Sequence, residues 1–85
     1  ADETPRYARL KFAVVLPEGG DGAAVRERFP ILKDAVLDVV VGFTAEDMRA
    51  PDILETLRGE FTDKAMEVWP DGEVIRVLIT ELLIQ

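Results

Sequence analysis

The chain has 85 residues, 10 basic and 17 acidic side chains, a net charge of −7, and neither histidine nor cysteine. That length limits it to one hydrophobic core, since typical domains run to ~100–150 residues, and a hydrophobic content of 48% excludes composition-driven disorder. Without Cys there are no disulfides, thiolate nucleophiles or zinc–thiolate sites, and without His the commonest general base and transition-metal ligand are missing, so composition points away from an enzyme.

Residues 1–5, Ala-Asp-Glu-Thr-Pro, are polar, end in Pro5, and read as a linker. From Tyr7 to Leu16 the pattern alternates, with Leu10, Phe12, Val14 and Leu16 on one face and Arg9 and Lys11 on the other. That is the period of a half-buried strand. Pro17 to Gly22 is loop, dense in Pro, Gly and acid.

From Ala23 the period becomes helical. Val25, Phe29, Leu32, Val36 and Val39 or Val40 recur at steps of three and four, up to about Val41, with Gly42 as the C-cap. Pro30 interrupts this stretch and predicts a kink or break near Phe29, because proline removes an amide donor and crowds the preceding turn. Thr44-Ala45-Glu46-Asp47 resembles a capping box and opens a short helix over Ala45 to Arg49. Pro51 then stands at the first position of a further helix. Its apolar stripe is Ile53, Leu54, Leu57, Phe61, Ala65 and Val68. Gly59 lies in its middle at a cost of about 1 kcal/mol against Ala, which suggests close packing there.

Trp69-Pro70-Asp71-Gly72 is a turn, and Val74 to Ile84 is the last strand. Its odd face carries Ile75, Val77, Ile79 and Leu83, broken by Glu81, and its even face Val74, Leu78, Leu82 and Ile84, broken by Arg76 and Thr80. Both faces are mostly apolar, which predicts burial on both sides along part of its length. The whole is an α+β fold, a small sheet of the N- and C-terminal strands packed by two main helices and one short helix. Two strands alone leave open edges, a template for another chain, so we expect a second copy or a partner to cover the terminal strand.

The candidate chemical sites have plainer readings. Asp34 and Asp38 are helical neighbours, a spacing that a hard cation could use, but like charges so placed ordinarily face water and no third ligand is evident. Glu46 and Asp47 suit a helix start. The glycines at 19, 20 and 22 lack the Lys-Ser/Thr ending of a phosphate loop. Trp69 reads first as core or rim packing and second as a partner hot spot. No nucleic-acid partner is expected, because the ten cations are spread along an acidic chain. No run approaches the ~20 apolar residues of a membrane span. The chain starts at Ala1 rather than Met, which we take to mean that it is processed or lacks its native start.

The C-terminal run from Gly72 to Gln85, with spaced valines, a Thr-acid pair, aliphatics and a terminal Gln, resembles the ending of the FliL family of flagellar basal-body-associated proteins. Further segments match in order: Tyr7-Ala8-Arg9-Leu10-Lys11-Phe12, Pro30-Ile31 with Asp34-Ala35, Thr44-Ala45-Glu46-Asp47-Met48, and Leu57-Arg58-Gly59-Glu60-Phe61. Ile79 and Leu82 stand where the family has aromatics, and Phe43 where it has a small polar residue. The resemblance implies a non-enzymatic domain without cofactor or metal, similar to stomatin/prohibitin (SPFH) domains. It would lie in the periplasm, tethered to the bacterial inner membrane by one N-terminal transmembrane helix outside this chain. It further implies homo-oligomeric rings around or beside the torque-generating stator units, supporting motor output. The interface residues expected are Ile79, Thr80, Leu82, Gln85, Trp69 and Phe43. The competing reading is a small soluble adaptor or ligand-binding module of similar build, unrelated to flagella.

Overall fold

The structure, a computed structural model, describes residues 8–84. The linker at residues 1–5, the expected strand start at Tyr7, and Gln85 lie outside them. The elements run β1 (Ala8–Val15), α1 (Gly22–Val41), a 3₁₀ turn (Asp47–Arg49), α2 (Ile53–Val68) and β2 (Arg76–Ile84). The strands form a two-stranded antiparallel sheet, and both helices pack on one face of it. This is the expected α+β build.

β1 ends where the chain reaches Pro17, which cannot continue a ladder. Gly20 N–H closes a turn onto the Pro17 carbonyl at 2.9 Å, and Gly19 supplies the positive φ of +79° that this turn requires. Asp21 then caps α1, its carboxylate accepting from the Ala23 and Ala24 amides at 3.0 and 3.1 Å.

Of the kink or break expected near Phe29, the break does not occur. α1 is one helix of 20 residues with Pro30 inside it. Pro30 is exposed, so the carbonyl left without a helical donor can turn to water, and the buried stripe Val25–Leu32–Val36 bridges the site. The capping box at Thr44 forms reciprocally: Thr44 N–H donates to the Asp47 carboxylate at 2.9 Å and Asp47 N–H to the Thr44 hydroxyl at 3.0 Å. It opens a 3₁₀ helix, Asp47–Arg49, within the short helix expected over Ala45 to Arg49. Pro51 sits in the turn ahead of α2, not at its first position, because Ile53 N–H bonds back to the Ala50 carbonyl at 3.1 Å and delays the helix.

The expected core stands. Leu32, Val36, Leu57 and Phe61 are buried beneath Leu10, Phe12 and Val14. Phe12 stacks on Phe29 at 5.5 Å between ring centroids and meets Phe61 at 6.1 Å in a tilted arrangement. Phe29 itself is only half-buried. Gly59, expected in close packing, is exposed, and a methyl group there would meet nothing within 4 Å.

The last strand departs most from its sequence reading. Its register carries an irregularity opposite Lys11/Phe12: Phe12 pairs with Ile79, Lys11 with Glu81, and Thr80 is the extra residue. Such a β-bulge shifts the side-chain phase by one. Val77 and Ile79 face the helices before it, Leu82 faces them after it, and Thr80 is exposed. The apolar residues on both parities therefore serve one inner face in two halves. Burial on both sides is corrected: Leu78 and Leu83, on the outer face, are 37% and 39% exposed.

Candidate functional site: an open sheet and its edges

In a two-stranded sheet each strand has one free edge, and here each edge is flanked by a helix. Beside β1 runs an apolar groove of about 330 Å³ lined by Leu10, Phe12, Val36, Leu37 and Val40, with Lys33 at its rim. Beside β2 a groove of about 300 Å³ is formed by Ile53 and Leu54 of α2 with Ile79, Thr80, Glu81 and Leu82. The first part of the β2 edge is occupied internally, since Val77 N–H donates to the Thr62 hydroxyl of α2 at 3.1 Å. Beyond that point Ile79 to Leu82 border the groove.

Three of the six expected interface residues, Ile79, Thr80 and Leu82, thus meet at one place. Gln85 lies outside the described residues. Phe43 is half-buried against the core just after α1. Trp69 is 1% exposed, so the structure places its ring in the core and not on a surface. The helix periodicity of α2 had to end somewhere, and a large apolar residue directly after its stripe continues the core. Its Nε1–H has no acceptor among the described residues. It lies beside a cavity of about 260 Å³ bordered by Ala24, Val25, Glu27, Arg28 and Glu73. Arg28 spans the two helices, donating to the Val68 carbonyl at 3.0 Å, where a cation suits the C-terminal end of α2.

The outer face of the sheet is uncovered. Arg9, Lys11, Ala13, Arg76, Leu78 and Leu83 are all exposed on it. Glu81 lies between Arg9 and Lys11, at 3.6 and 3.8 Å. Contacts this exposed contribute ~0–1 kcal/mol, so they tune the face rather than hold it. The sequence reading missed Ile53 and Leu54, whose role emerges only when α2 docks beside β2. Leu78 and Leu83 were hidden by the phase change at Thr80.

No group of acids that could hold a metal ion occurs among the described residues, and Asp34 and Asp38 face outward from α1. Among the described residues no helix is long and apolar enough to cross a membrane. The arrangement offers apolar grooves, strand edges and an open face, the chemistry of association.

The comparisons with known proteins agree on one family. The model of the family described as flagellar basal body-associated protein FliL matches residues 1–85. The flagellar protein FliL of Aquifex aeolicus (strain VF5) is 25% identical over 83 residues, which cover 98% of this chain and 52% of that relative. The chain therefore spans about half the length of the curated relative it matches. No solved structure matches it. With the family model covering the whole chain and the ordered segments from Tyr7 to Gln85 in agreement, the chain belongs to the FliL family of flagellar basal body-associated proteins.

Proposed function

We propose that the chain is a periplasmic, stomatin-like accessory domain of the flagellar motor that self-assembles, ring-like, beside the stator units and supports motor output. Membership of a basal-body-associated family supports a place at the motor and disfavours an unrelated soluble adaptor. The observation that carries the assembly reading is the β2 edge from Ile79 to Leu82, open beside an apolar groove in a two-stranded sheet. An uncovered strand edge pairs readily with another chain. A native anchor in the inner membrane would confine the copies and raise their effective concentration, so that weak contacts suffice.

The test is a pair of variants at that edge, Leu82→Asp and Thr80→Arg, in the full-length protein. Circular dichroism of the domain is expected to keep its native form, while motility and co-isolation with the stator fall. Folded variants with wild-type motility and complex formation would remove the β2 edge from the interface.

A further inference from the structure

α1 carries a second face that the core does not use. Its buried residues Val25, Leu32 and Val36 lie on one side. Away from that side Ile31, Leu37 and Val41 are 57%, 61% and 81% exposed, Leu37 also lining the groove beside β1. At 100° per residue these three share a sector of roughly 120° with the exposed acids Glu27, Asp34 and Asp38. Large aliphatics interleaved with acids are a poor pattern for a face that only meets water.

The outer sheet face has the inverse character. Leu78 and Leu83 are its exposed aliphatics, and its charges are Arg9, Lys11 and Arg76 against Glu81 alone. The dimensions agree: the α1 axis is about 30 Å long, and a strand pair of this length about 26 Å. Each face repels its own kind, acid against acid or cation against cation, so a two-fold dimer through either is disfavoured. One face against the other is a head-to-tail contact, which repeats and closes into a ring when the rotation allows.

We infer that the outer face of α1 in one copy packs on the open outer face of the sheet in the next, aliphatics in register and Asp34 and Asp38 against the cations that include Arg76. This rests on the self-assembly reading above and adds a second contact to the β2 edge on which that reading stands. The covered strip is about 26 Å by 10 Å in plan, far below the ~800 Å² per partner of stable complexes. The contact is therefore weak in dilute solution and becomes populated when copies are confined.

The experiment uses the 85-residue chain in sedimentation up to millimolar concentration, with circular dichroism to establish that each variant is folded. Arg76→Glu and Asp38→Arg, both at exposed positions, are each expected to weaken association at least tenfold. Mixing the two variants one to one restores it, since every contact in an alternating array is again complementary. A second readout uses the absence of native cysteine: Leu37→Cys mixed with Leu78→Cys gives a disulfide-linked pair, whereas Leu37→Cys mixed with Met66→Cys does not. If the wild-type chain associates but neither charge reversal weakens it and the 37–78 pair does not form, the surfaces are wrong while self-assembly stands. If the wild-type chain does not associate at any concentration and the 37–78 pair does not form, self-assembly fails and this inference with it.

Discussion

Replacing Phe61 by alanine tests the packing on which every surface described above depends. Phe61 is fully buried in α2, touches the Phe12 ring at 6.1 Å, and sits between the helix pair and β1. An aromatic ring buries ~150–250 Å², which at ~25 cal/mol per Å² is ~4–6 kcal/mol of transfer energy. Alanine keeps one methyl group and the neighbours close in partly, so the expected loss is ~3–5 kcal/mol. That is a large share of a small domain's ~5–15 kcal/mol. With roughly 4–8 °C per kcal/mol for a domain of this size, thermal melting followed by circular dichroism should fall by ~12–40 °C. Phe29→Ala, at a half-buried ring stacked on the same Phe12, should fall clearly less. If Phe61→Ala melts within a degree or two of the wild type, the helix phase placing Phe61 in the core is wrong.

Gly59→Ala should raise stability by about 1 kcal/mol in a denaturant titration, because the added methyl meets open space and the unfolded chain loses freedom; a destabilised variant would mean that something packs on Gly59. Thr44→Ala should cost about 1 kcal/mol by removing the hydroxyl that caps Asp47 N–H. Deleting Thr80 should be tolerated within a few degrees of melting temperature, since it converts the bulge into a regular ladder and leaves Leu82 facing inward. Deleting Leu78 instead turns the flanking residues to the wrong face and should unfold the domain. The isolated chain should sediment as a monomer when dilute, and a dimer that resists dilution would contradict assembly by confinement.

Most of the fold was legible because the decisive signals are periodic. The alternation at Leu10, Phe12 and Val14 and the three–four spacing from Val25 to Val36 and from Ile53 to Ala65 each report one buried face, and the structure buries those faces. The errors arise where a local rule meets tertiary context. Pro30 disfavours a helix, yet the buried stripe on either side holds α1 continuous through it. Gly59 is not a close approach, because its side of α2 faces outward. The double-sided apolar pattern of β2 records a phase shift at Thr80 rather than two buried faces, and a bulge shows in sequence only as a change of parity between Ile79 and Leu82. The candidate site was half legible. Ile79, Thr80 and Leu82 stood out as strand residues with no evident cover, whereas Ile53 and Leu54 become their neighbours only through helix docking. The exposed aliphatics Ile31, Leu37 and Val41 lie off the helical stripe, and the sequence reading did not single them out.

The central claim is that copies of this domain stand around or beside the stator in the periplasm. Averaged electron cryotomograms of flagellar motors, from otherwise identical cells with and without the gene, measure this directly. The account predicts ring-like periplasmic density at each stator unit that disappears with the gene while the stator itself remains. Identical periplasmic density in both strains, in motors with occupied stators, would contradict it.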